Sequence, residues 1–234
     1  MVQVEISSPT WFFGLDGSFE VIAAVIAIVV AFAAWKIWRM TKERSYGWFS
    51  LSFLFIFIGF AARGIADLVI EKVITCAPAI REALPAVPGV SRTALVFLGG
   101  YLGNIIFTLA AYIMLVGLSY KVEEKAMILL LFLLTLPILV LSSSYFLSYY
   151  WMSTVLLGAI TYAYYKQCMQ TKRKKGRAVT LAFGFLALAQ MQFIVSALNV
   201  LTPLSRDILY VTAHSTQILG FLMILFVFVR TMMK

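Results

Sequence analysis

Apolar residues along this chain gather into seven blocks, and most polar residues collect between them. The blocks run approximately 19–38, 46–69, 93–118, 126–143, 146–165, 178–198 and 208–229. About 20 apolar residues rising 1.5 Å each cover the hydrocarbon of a bilayer, so each block is read as a span. Each span predicts a helix, because an open strand in lipid would leave its amides and carbonyls without partners. No stretch shows the period-two alternation of a membrane barrel. The expected fold class is therefore all-α: a polytopic membrane protein, a single seven-transmembrane-helix bundle over residues 1–234. Short connections make consecutive helices antiparallel neighbours. The longest connection, about 70–92, contains Cys76, Pro78, Pro85 and Pro88, with room for a short interfacial helix near 79–84.

Composition agrees with the pattern. Hydrophobic residues make up 62% of the chain and charged ones 12%, against about 45–50% and about 25% in soluble domains. The net charge of +9 would suit nucleic acid, but its distribution argues for topology instead. One set of loops and span ends carries Lys36, Arg39, Lys42, Arg44, Lys121, Lys125, Lys166, Lys172, Arg173, Lys174, Lys175, Arg177, Arg230 and Lys234, with only Glu43, Glu123 and Glu124 as acids. The opposite set holds five bases (Arg63, Lys72, Arg81, Arg92, Arg206) and seven acids (Glu5, Asp16, Glu20, Asp67, Glu71, Glu82, Asp207). Basic loops stay in the cytoplasm. The N-terminus is thus expected outside and the C-terminus inside, with the lipid bilayer as the main partner and no nucleic acid. The run 172–177 retains its loop or touches anionic lipid. Tyr145, Tyr149, Tyr150 and Trp151 are expected in the outer aromatic belt, and Tyr162, Tyr164 and Tyr165 in the inner one. The first 20 residues lack the basic n-region of a cleavable signal peptide, so the first span is expected to remain. Cys76 and Cys168 fall in loops on opposite sides, too far apart for a disulfide.

Polar residues inside a bilayer are costly and tend to mark function or helix contacts. Spans 1, 4 and 5 carry almost none centrally, so they are expected to face lipid. Spans 2, 3, 6 and 7 carry nearly all. Arg63, Asp67 and Glu71 share one face of span 2 at i, i+4 and i+8. Asn104 and Thr108 lie one turn apart in span 3, beside the pair Gly99 and Gly103, which permits close helix approach. Gln192, Ser196 and Asn199 line span 6, and Tyr210, His214 and Gln217 line span 7. Arg63 sits about 25 Å up from the cytoplasmic start of its span. Arg63, Asp67, Asn104, Gln192, Asn199, His214 and Gln217 therefore form the candidate ligand site in the outer half. There Arg63 would clamp an anion, His214 would titrate, and the amides would donate hydrogen bonds. The alternative is structural: Arg63 pairs with Asp67, its first-choice partner ahead of Asn104 or His214, and the amides bridge helices. Pro137 predicts a kink in span 4.

Several chemistries are excluded. A retinal Schiff base needs a lysine within the spans, and none lies near a span centre. A bis-histidine haem needs a second histidine, and the chain has one. A zinc hydrolase needs about three protein ligands, and no nucleophile elbow, P-loop or dinucleotide fingerprint is present. No cofactor and no enzymatic activity are expected.

The segment His214-Ser215-Thr216-Gln217-Ile218-Leu219-Gly220-Phe221, with the apolar run to Arg230, resembles the last helix of the seven-helix membrane sensor domains of prokaryotic signalling proteins. That resemblance implies a multi-pass protein of a prokaryotic cytoplasmic membrane, binding a small molecule and acting through a separate signalling partner, since no output domain follows the last span. Two other readings stand beside this non-enzymatic sensor. One is a small-solute transporter of two three-helix repeats, with Gly103-Asn104-Ile105-Ile106 matching Thr216-Gln217-Ile218-Leu219. The other is an accessory subunit of a membrane complex.

Overall fold

Every element of the computed structural model with defined bounds is a helix, and its described residues are 15–75, 92–121, 129, 133, 145–171, 174–198 and 202–232. The helices are α1 (Leu15–Thr41), α2 (Arg44–Thr75), α3 (Arg92–Ser119), α4 (Tyr145–Thr171), α5 (Lys174–Ala197) and α6 (Pro203–Met232). They contain spans 1, 2, 3 and 5 and all but the last residue of span 6, and span 7 lies within α6. Helices run past the apolar blocks into polar turns, because nothing forces the backbone to stop hydrogen bonding where lipid ends. Of the fourth expected span only Leu129 and Leu133 are described; both are helical and exposed. Cys76, Pro137, Asn199 and the expected interfacial helix near 79–84 lie outside the described residues.

Five of these helices are long and apolar enough to cross a membrane. The other, α4, has 27 residues, which give it about 40 Å of length. Its tyrosines and serines lower its hydropathy. Large apolar side chains cover the outside of the bundle: Val25, Phe32, Ile65, Ile106, Val155, Leu181, Met191, Leu219 and Phe226 are all exposed. Charged groups meanwhile are buried within it. That inversion of the soluble arrangement identifies a multi-pass membrane protein whose outer surface is solvated by lipid.

The six helices pack as a closed ring in which each touches its two neighbours: α1–α2–α3–α4–α5–α6, then back to α1. Long seams join α1 to α2 to α3, and α4 to α5 to α6; shorter ones join α3 to α4 and α6 to α1. Small residues permit the close approaches. Gly64 of α2 meets Val21 and the Gly17 carbonyl of α1, and Ser50 donates to the Ala31 carbonyl at 2.8 Å. Between α2 and α3 the close contact is at Gly100, where a Cβ would collide with Ala66 and the Ala62 carbonyl. The expected pair behaves differently: Gly99 faces open space, and Gly103 has ordinary contact with Ala62.

Turns are local and explicable. Lys42 adopts a left-handed φ of 58° and its amide donates to the Trp38 carbonyl at 2.7 Å, closing α1. Lys121, with φ 53°, ends α3 in a tighter turn, its amide donating to the Leu118 carbonyl at 3.2 Å. At the start of α6, Pro203 occupies the first helical position, where its missing N–H costs nothing.

The expected lipid-facing role of span 1 does not hold. Helix α1 lies between α2 and α6 and buries Glu20, Ala24, Ala27, Ala31 and Ala34 along one stripe. Nor is span 5 without an interior face: α4 buries Tyr149, Tyr150, Ser153, Leu157 and Ile160. Trp151, Tyr162 and Tyr165 are exposed as an aromatic belt requires, but Tyr149 and Tyr150 point inward. Cys168 is buried in the last turn of α4 rather than placed in a loop.

Candidate functional site

Helix α1 delivers Glu20 to the interior about 8 Å from its N-terminal end. Helix α2 delivers Arg63 and Asp67 one turn apart, and α6 delivers His214. All four side chains are almost fully buried, with residue exposures of 1%, 5%, 9% and 2% respectively. Arg63 Nη1 stands 3.2 Å from Glu20 Oε1, and Arg63 Nε 3.8 Å from Asp67 Oδ2. His214 Nδ1 lies 3.8 Å from the same Glu20 oxygen. A buried arginine requires a partner, and here the nearer partner is Glu20 rather than Asp67.

Aromatic side chains enclose the tetrad. The Tyr101 hydroxyl of α3 donates to Asp67 Oδ1 at 2.6 Å, and its ring lies 5.4 Å from the Arg63 guanidinium carbon, a cation–π distance. The His214 ring packs 4.9 Å from both Phe193 and Tyr210 and 5.8 Å from Phe19. Tyr150 of α4 stacks on Phe193 at 5.1 Å. All six helices thus supply the tetrad or a group in direct contact with it, α4 through Tyr150, whose hydroxyl accepts a hydrogen bond from the Arg63 guanidinium. Neither Glu20 oxygen makes a hydrogen bond among the described residues.

Of the seven sequence-derived site residues, Arg63, Asp67 and His214 are brought together. Asn104 is buried one turn along α3 from Tyr101 and packs on Gly59 of α2. The Thr108 hydroxyl donates to the Asn104 carbonyl at 2.5 Å and sits 3.2 Å from the Tyr149 hydroxyl. Gln217 is buried one turn from His214, and Gln192 is half-buried on α5. No hydrogen bond or ion pair among the described residues links Asn104, Gln192 or Gln217 to the tetrad. Sequence reasoning missed Glu20 and Tyr101. Both carried a signal: Glu20 continues the small-residue stripe of Ala24, Ala27, Ala31 and Ala34 at helical spacing, and Tyr101 precedes Asn104 and Thr108 on one face.

Below the tetrad the ring is apolar. Phe221 of α6 meets Phe60 and Phe53 of α2 edge-on at 5.5 and 6.4 Å. Ile56, Tyr112, Leu157, Ile160 and Leu186 fill the same level, all fully buried. Past this waist, at the end marked by the α1–α2 turn, lies a cavity of about 340 Å³. Its walls come from five helices and include Tyr46, Phe49, Ser119, Tyr164, Gln167, Phe183 and Phe228, with Glu43 and Lys121 at the rim. Phe49 stacks on Phe228 at 4.7 Å and Tyr164 on Phe183 at 5.5 Å. Gln167 Nε2 donates to the Ser119 carbonyl at 2.9 Å. A pocket of this size with apolar walls and a few polar groups suits a small molecule. Phe49 and Arg63 are about 21 Å apart along α2, so cavity and tetrad occupy opposite ends of one ring.

No protein-family model, no curated protein and no solved structure matches this chain.

Proposed function

We propose that this chain is a small-solute transporter of two three-helix units, with seven spans, the N-terminus outside, and a shape open toward the cytoplasm. The observation that carries this reading is the pairing of a cavity at one end of the ring with a sealed ionic network at the other, divided by an aromatic waist. Alternating access requires such an arrangement, with one end closed while the other admits solute. The cavity end also carries Lys42, Arg44, Lys121 and Lys166, which the positive-inside bias assigns to the cytoplasm.

Correspondences between the halves support two units. Both α1 and α4 have 27 residues, and in each case the next helix begins three positions after the last one ends, at Arg44 and at Lys174. Glu20 and Tyr150 occupy the same position in these helices, and both are buried. The register that sets Asn104 against Gln217 also sets Tyr101 against His214. It aligns the last residues of α3 and α6, Ser119 and Met232.

Two-sided thiol labelling tests this reading. With Cys76 and Cys168 replaced by serine, a cysteine at Leu157 in the waist should react with a membrane-impermeant maleimide from both faces of oriented vesicles. Reaction from one face alone, or from neither, contradicts transport.

A sensor module is the second reading. The observation favouring it is that His214, which opens the sensor-like segment, meets Glu20 inside the bundle. It expects a ligand pocket opening beside the tetrad and access from the outer face only.

A further inference from the structure

We propose that the tetrad holds one exchangeable proton, on the edge between Glu20 and His214, and that opening of its end of the ring releases that proton. The inference deepens the transport reading and rests on it for one point, that release is coupled to solute movement.

Helix α2 presents Arg63 and Asp67 toward Glu20, and α6 presents His214 and the neutral Tyr210. Tyr101 and Tyr150, also neutral, complete the surroundings. With both carboxylates ionised and the imidazole neutral, the group carries one positive and two negative charges. A net charge left in a nearly dry interior is strongly disfavoured, and one added proton cancels it. Asp16, one turn further out, is a third buried carboxylate within electrostatic reach of Glu20 and Asp67, balanced separately by its own helix terminus. It lies in the first turn of α1 and accepts the Gly17 amide at 2.9 Å, where the helix dipole favours its charge.

Geometry places the added proton. Asp67 already accepts from the Tyr101 hydroxyl at 2.6 Å, the short contact of an ionised acceptor. Glu20 has no such donor among the described residues, and its Oε1 is the atom nearest both Arg63 and His214. The proton therefore rests as an imidazolium facing a carboxylate or as a carboxylic acid facing an imidazole. In either form, release passes one proton to entering water and leaves a net negative group that hydration must stabilise. Proton binding thus favours the closed end, and loss of the proton favours the open one. Among the described residues no trio of His, Cys, Asp or Glu is arranged to hold a metal ion.

The test is infrared difference spectroscopy of the whole chain in lipid nanodiscs, taken between about pH 6 and 9, where exposed carboxylates stay ionised. Wild-type protein should lose either the C=O band of a buried carboxylic acid or the ring modes of an imidazolium in a single one-proton step. Glu20→Gln and Asp67→Asn should each abolish that step, because either leaves Arg63 balanced by one carboxylate. Asp67→Asn keeps an acceptor for Tyr101 and guards against misfolding of the first variant. Arg63→Gln should add a second proton, and His214→Gln should leave one. A step that survives intact in both Glu20→Gln and Asp67→Asn overturns the proposal. So does one that follows sodium concentration at fixed pH, which would make the site a sodium site. Neither outcome touches the labelling of Leu157→Cys, so loss of the proton site and loss of the transport reading are distinguishable.

Discussion

The Glu20 carboxylate of α1 stands 3.2 Å from the Arg63 guanidinium of α2, nearer than Asp67, one turn along from Arg63 on α2, at 3.8 Å. The pair crosses the seam between two helices, so it ties α1 to α2 at the end of the ring where α6 also closes against α1. Arg63→Ala leaves two carboxylates buried without their cation. Removing one partner of a buried pair costs about 3–5 kcal/mol, and this substitution should lower stability by that amount in denaturant unfolding of the detergent-solubilised protein. Glu20→Gln should cost clearly less, because Asp67 remains to balance Arg63.

Tyr101 fixes Asp67 from α3 through a hydrogen bond of 2.6 Å. Hydrogen bonds to charged groups contribute about 1.5–3 kcal/mol. Tyr101→Phe should cost that much in the wild type and much less when Asp67 is already Ala. A double-mutant cycle measured by thermal unfolding reads the difference.

Close approach of α2 and α3 depends on Gly100 and not on Gly99. A methyl at Gly100 must push α3 away from Ala62 and Ala66, at a cost of about 1–3 kcal/mol. Gly99→Ala meets nothing within 4 Å and should be neutral or slightly stabilising, since alanine is the better helix former by up to about 1 kcal/mol. Comparing the two unfolding midpoints checks this.

Phe49 and Phe228 stack at 4.7 Å across the α2–α6 side of the cavity. Such aromatic pairs contribute about 0.5–1.5 kcal/mol beyond the area they bury. Leucine at both positions should show a coupling of that size in a double-mutant cycle. A coupling near zero would mean that the two rings are not in contact in the membrane.

The six described helices were legible because apolar blocks of bilayer length admit little else, and their ends lie within six residues of the expected ones. Arg63, Asp67 and His214 were legible for a similar reason: an ionisable group in an apolar run needs a buried partner. Glu20 was hidden by its position. It is the second residue of the first apolar block, a place that suits an acid of the outer loop, although its helical phase matches Ala24 and Ala27. Tyr149 and Tyr150 were hidden by residue type, because tyrosine near a span end suits an interfacial belt as well as an interior contact. The cavity had no sequence signature. Its walls combine phenylalanine, tyrosine, leucine, valine and isoleucine with serine and glutamine from five helices, brought together only by closure of the ring.

The most direct test of the account measures both ends of the ring at once. Spin labels at Ile65→Cys and Val195→Cys report the tetrad end of α2 and α5, and labels at Trp48→Cys and Leu181→Cys report the cavity end; all four sites are exposed. Pulsed electron–electron distance measurements in nanodiscs, with the native cysteines replaced by serine, would be made for each pair, with and without Glu20→Gln and Arg63→Gln. Alternating access predicts two populations at each end. At a pH where both carboxylates of the Arg63→Gln variant are ionised, that variant should lengthen the 65–195 distance while shortening the 48–181 distance. A single distance at each end, unmoved by either substitution, would contradict the central claim that the two ends open in turn.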